Sequence, residues 1–138
     1  MSSMQGHYSD TNLPLLAIPF QVTEDRFIDV EVVVDSGFNR GLIVYEADAI
    51  AAKLAPSRRF DETLYVANGS MWPAQATTAY VMWLGKLREV DVLVVEAEPP
   101  ERRRSRKEPE RGLVGMELLR GTELVLGAST VQLSPEEG

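Results

Sequence analysis

The chain has 138 residues, 44% of them hydrophobic, and a formal net charge of −7. That length allows one domain with a modest core, and the acidic balance argues against general nucleic-acid binding. With no cysteine and a single histidine, His7, there is no disulfide framework, thiol nucleophile or cysteine-based metal site, which leaves carboxylate chemistry as the main hydrolytic option.

Residues 1–12, MSSMQGHYSDTN, read as a flexible polar leader, and His7 within it is assigned no catalytic role. The apolar run at 13–20, LPLLAIPF, is interrupted by Pro14 and Pro19 and has no lysine or arginine before it. It matches neither a signal peptide nor a membrane span, so a cytoplasmic protein without a membrane partner is expected. LLAIPFQV and RFIDVEVVVDS read as the first two strands, separated by the polar turn Thr23-Glu24-Asp25.

The second of these strands carries the main chemical signal. Val30, Val32, Val33 and Val34 favour a buried strand, and that strand delivers Asp35 onto the tight turn Asp35-Ser36-Gly37. Gly37 allows a close backbone approach, so the carboxylate can lie near main-chain N–H groups or a second copy of the same loop. Asp-Ser-Gly is also ordinary turn chemistry at a strand end, and the tripeptide alone does not decide between the two.

Gly41 to Tyr45 reads as a third strand. Over residues 46–54, Ala47, Ile50, Ala51 and Leu54 recur with helical spacing, which predicts a helix packing that face on the core and stopped by Pro56. Residues 62–84 form two strand-like arms around Asn68-Gly69, the strongest two-residue hairpin signal. A second turn at Trp83-Leu84-Gly85-Lys86 leads into a buried strand from Arg88 to Val95.

After Pro99-Pro100 comes ERRRSRKEPER, residues 101–111, with six basic and three acidic side chains against eight basic and eighteen acidic elsewhere. Such a segment cannot bury much apolar surface and reads as a charged surface loop. A docking patch for an acidic partner or a self-cleavage site are the functional alternatives. Next, GLVGMELL at 112–119 sets two apolar residues, Leu113 and Val114, before Gly115 and a short helix, which Gly121 suits as a C-terminal cap. A last hairpin joins Glu123–Leu126 to Thr130–Leu133, followed by a polar tail at 134–138. The acids Asp29, Asp48, Asp61 and Asp91 show no metal-binding spacing, and no metal or cofactor is expected.

Asp35-Ser36-Gly37-Phe38, with the later Leu113-Val114-Gly115-Met116-Glu117-Leu118-Leu119, resembles the small single-domain retropepsin-like aspartic proteases. The closest likeness is to the prokaryotic group marked by Asp-Thr-Gly-Phe and a later apolar-apolar-Gly-Met-Glu/Asp-Leu-Leu. It covers roughly residues 13–133. Ser36 replaces the commoner threonine and keeps its hydroxyl.

The resemblance implies a small, closed, mainly antiparallel β-barrel with two short helices, working as a homodimer whose terminal strands knit the two chains. One Asp-Ser-Gly per chain then supplies half of a dyad. Asp35, Ser36 and Gly37 would form the catalytic loop, with Leu113, Val114 and Gly115 packed behind it. The hairpin at Asn68-Gly69 would be a flap over a peptide substrate, with Phe38, Asn68, Gly69, Met71 and Trp72 as binding residues. The implied reaction is peptide-bond hydrolysis by a water activated between two Asp35 carboxyls. The alternative is a dimeric binding or assembly module that keeps the barrel without the chemistry.

Overall fold

The computed structural model describes residues 2–54, 62–65, 71–96 and 111–136. The Asn68-Gly69 turn, Pro56, Asp61 and residues 101–110 of the basic segment lie outside these.

Among the described residues, ten strands and two short helices follow one another. They are β1 (Met4–Tyr8), β2 (Pro14–Thr23), β3 (Arg26–Val34), β4 (Leu42–Tyr45), α1 (Glu46–Ala51), β5 (Glu62–Tyr65), β6 (Met71–Trp83), β7 (Lys86–Val95), β8 (Gly112–Val114), α2 (Met116–Leu119), β9 (Thr122–Leu126) and β10 (Val131–Pro135). Six of the strands close into a barrel in the order β6, β7, β4, β8, β3, β2, sealed by the pairing of Phe20 with Val81. Most neighbours are antiparallel, but β3 runs parallel to β8 and β4 parallel to β7.

The barrel interior is a single apolar core. Leu16, Ile18 and Phe20 of β2 meet Val30, Val32 and Val34 of β3, with Val81, Val92, Val114 and Leu118 completing it. Burying a side chain the size of Phe20 stabilises the fold by about 1.5–3 kcal/mol. β4 and the end of β7 are buried on both faces, which explains their unbroken apolar runs. Their outward residues Ile43, Tyr45, Leu93 and Val95 join Phe38, Ala74 and Leu113 in a second cluster outside the barrel.

Two hairpins follow their turn chemistry. Leu84 and Gly85 both have positive φ, 52° and 81°, and join Trp83 to Lys86 in the two-residue loop with two left-handed positions that matches strand twist. Gly121, at φ 79°, follows the end of α2 as the expected cap.

Residues 1–12 depart from the expected leader. Met4–Tyr8 form β1, which pairs Met4–Gly6 with β10 and His7–Tyr8 with β2. Its side chains alternate between half-buried Met4, Gly6, Tyr8 and exposed Gln5, His7, a period of two carried by largely polar residues that hydrophobicity alone does not reveal. Gly6 is required because a Cβ there would lie 1.8 Å from the carbonyl oxygen of Leu15. His7 lies 3.5 Å from the carboxylate of Glu31, whose other oxygen accepts from Nε of Arg111 at 2.7 Å.

α1 also differs. It buries Ala49, with Ala52 just past its end; of the expected face, Leu54 packs on the core while Ala47, Ile50 and Ala51 are exposed, Ile50 by 70%. Two alanines allow this short helix to lie close to the barrel, and over two turns the apolar spacing fits more than one face. Among the described residues no helix is long and apolar enough to cross a membrane.

Candidate active site

Asp35 stands at the point where β3 leaves the barrel sheet. Its backbone N–H donates to the carbonyl of Val114 at 3.0 Å, continuing the parallel pairing of Val34 with Val114 by one residue. Its side chain is half-buried, and Oδ1 accepts the N–H of Gly37 at 2.9 Å. The N–H of Phe38 donates to the Asp35 carbonyl at 3.2 Å, so the turn is closed at both its side chain and its main chain. A carboxylate held this way keeps one oxygen committed to the turn and the other available for chemistry.

Ser36 and Gly37 are exposed on the crest of this turn. Phe38 is half-buried and packs on the outer cluster with Leu113, which anchors the descending side of the turn.

The second motif locks the turn from behind. Leu113 and Val114 belong to β8, a strand between β3 and β4; Leu113 faces the outer cluster and Val114 the barrel core. Gly115 then donates to the Gly41 carbonyl at 2.8 Å, and Met116 to the Phe38 carbonyl at 2.7 Å. A Cβ on Gly115 would sit 2.4 Å from the carbonyl oxygens of both Phe38 and Arg40 and 2.5 Å from the Phe38 ring. Only glycine admits that approach.

Sequence reasoning missed three contributors. Gly112 crosses β4 so closely that a Cβ would lie 1.7 Å from the Ile43 carbonyl oxygen, and Arg40 and Gly41 supply backbone carbonyls to the second motif. Glycine before Leu113 was the available signal for the first; carbonyl acceptors leave none in side-chain identity.

Met71 and Trp72 open β6 and pair with Tyr65 and Leu64 of β5, so the two arms of the hairpin exist as antiparallel strands. Asn68 and Gly69 lie outside the described residues.

This arrangement matches solved structures. The chain superimposes on a retropepsin-like aspartic protease from Rickettsia conorii with a TM-score of 0.62 at 16% identity, covering 95% of this chain and 89% of that one. It superimposes on EIAV protease, solved in complex with the inhibitor HBY-793, with a TM-score of 0.58 at 16% identity, covering 86% of this chain and 98% of that one. No family model and no curated protein matches the sequence. The fold is therefore retropepsin-like.

Proposed function

We propose that the protein is an aspartic endopeptidase that acts as a homodimer, with one Asp35 from each chain forming the catalytic pair. The observation that carries this reading is the turn itself: an aspartate at a strand end, fixed by the Gly37 N–H and backed by the Val114-Gly115 segment, in a retropepsin-like barrel.

Each chain contains one Asp-Ser-Gly, so the second carboxyl comes from a second copy across a two-fold axis. Two carboxyls in contact share one proton, because two like charges at that distance repel strongly. The ionised member takes a proton from a water molecule, and that water attacks the peptide carbonyl carbon. The protonated member donates to the carbonyl oxygen as the tetrahedral intermediate forms. Collapse of the intermediate breaks the C–N bond, with the nitrogen taking up a proton and the carboxyl pair returning to its starting state.

The pair binds no metal or cofactor in this scheme. In this reading Ser36 orients the two turns across the axis and Gly37 keeps the crest narrow, while Phe38, Asn68, Gly69, Met71 and Trp72 are the residues assigned to peptide binding. Closure of such a flap excludes water and aligns the scissile bond.

Cleavage of a diverse peptide library between acidic and neutral pH, with Asp35→Asn alongside, tests the reading. Cuts made by the parent and absent from the variant are expected. A parent that is dimeric in solution yet leaves every peptide intact would overturn it in favour of a binding or assembly module.

A further inference from the structure

The outer apolar cluster lies on the same side of the sheet as the Asp35 carboxylate. Val34 and Val114 pair side by side and both point into the barrel core, so their chain neighbours Asp35 and Leu113 fall on the outer face. Leu113 packs there against a floor made by Ile43 and Tyr45 of β4, Leu93 and Val95 of β7 and Ala74 of β6, each at most 7% exposed. Ala74 stands at the foot of the β5–β6 hairpin, paired with Glu62 on one side and Val95 on the other. In the proposed function the peptide lies over Asp35 and under that hairpin, so it crosses this floor.

One side chain closes the floor toward the carboxylate. Phe38 follows Asp35 by three residues, and its N–H donates to the Asp35 carbonyl, which ties its backbone to that turn. Its ring packs on the floor and lies against Gly115, where an added Cβ would come within 2.5 Å of the ring carbon Cδ2. The ring is only half-buried, as is Leu113. Because the five residues beneath are nearly sealed, the part of the floor that a ligand can reach belongs chiefly to Phe38 and Leu113.

We infer that Phe38 is a specificity-determining residue: its ring occupies the apolar seat beside Asp35, and the substrates are peptides with a small side chain, glycine, alanine or serine, facing that seat. This deepens the aspartic endopeptidase reading and rests on it. In a two-fold dimer the filled seat occurs twice, so the restriction falls once on each side of the scissile bond. A small side chain lets the backbone of an extended peptide settle close to the Asp35 turn. A leucine or phenylalanine there would have to displace a ring held by the Gly115 contact and the hydrogen bond to Asp35, which is overpacking. Larger side chains are left to the alternate positions that point away from the floor.

The test compares the parent with Phe38→Ala and Phe38→Leu on peptides that carry alanine, valine, leucine or phenylalanine in turn at each position around the cleaved bond. The parent should favour alanine over leucine by about tenfold or more in kcat/KM at one position on each side, since a single methylene in an apolar site is worth roughly 10–200-fold. Phe38→Ala should reverse that preference at those positions and leave the others unchanged, with Phe38→Leu between the two. A residue that only supported the turn would lower kcat/KM for every peptide alike. A parent that accepts leucine at every position, or a Phe38→Ala profile parallel to the parent's, overturns the inference.

A readout without cleavage keeps the two readings apart. Removal of the ring should open an apolar hollow, so benzene should raise the thermal midpoint of Phe38→Ala, and that of Phe38→Leu to a smaller extent, while leaving the parent unmoved. No benzene effect in either variant also overturns the filled seat. If benzene binds the variant and the parent cuts no peptide, the seat stands and the protease reading falls. If the parent cuts peptides and Phe38→Ala keeps its profile, the protease reading stands and Phe38 loses this role.

Discussion

The backbone N–H of Asp35 donates to the carbonyl of Val114 at 3.0 Å, so two motifs separated by 79 positions meet at one hydrogen bond. That bond extends the β3–β8 ladder into the turn and ties the carboxylate to the barrel core, where Val114 is fully buried. Movement of β8 therefore moves Asp35.

Gly115→Val tests that coupling. Its branched side chain would enter a space where even a Cβ lies 2.4 Å from two carbonyl oxygens, neither of which can yield without breaking the turn. Overpacking of this kind costs about 1–3 kcal/mol, and more where backbone must shift. We expect a sharply lowered thermal midpoint and loss of soluble protein. A melting curve superimposable on that of the parent would contradict the packing described.

Ser36 separates a packing role from a role between chains. Its side chain is exposed on the crest of the turn, so Ser36→Ala should leave the melting of one subunit almost unchanged. Under the dimeric reading it should weaken the dimer and lower specific activity at low protein concentration by roughly tenfold, the loss of one hydrogen bond per chain. Ser36→Thr, which keeps the hydroxyl, should restore both. Activity measured across a dilution series reads this out.

Leu118 lies on α2, 1% exposed, in the barrel core just beyond the second motif. Leu118→Ala should destabilise by about 2–5 kcal/mol through lost burial and the cavity left behind. Chemical denaturation should show a lower midpoint with an unchanged slope. An effect below about 1 kcal/mol would place α2 outside the core.

Asp48 gives a pH dependence unrelated to catalysis. Burial on α1 raises its pKa above the ordinary 3.8, so the folded chain holds its proton to higher pH than the unfolded chain. Between those two values the folded state binds more protons, and stability falls as pH rises. Asp48→Asn should flatten the thermal midpoint from pH 4 upward and raise it near neutrality. The first-turn position of Asp48 partly offsets this, because a negative charge there favours the helix. A steeper pH dependence in the variant would reverse the assignment.

Much of the barrel was legible in the sequence because its signals are local. β-branched runs marked β3 and β7, Leu84-Gly85 marked a tight hairpin, and Gly121 marked a helix end; each depends on residues within a few positions of one another. The Asp35 turn and the glycine behind it were legible for the same reason, as two short motifs whose chemistry does not depend on what lies between them.

β1, the buried face of α1 and the strand character of Leu113-Val114 were decided only by tertiary structure. Met4–Tyr8 becomes a strand because two open edges, β2 and β10, are brought beside it, and its own side chains carry too little apolar pattern to announce that. α1 turns Ala49 inward because that is the side packed on the barrel, and β8 is a strand because β3 and β4 stand on either side. Short-range propensity fixes what a segment can be. Which neighbour satisfies its backbone and covers its apolar face depends on residues far away in the chain, and only the closed barrel brings them together.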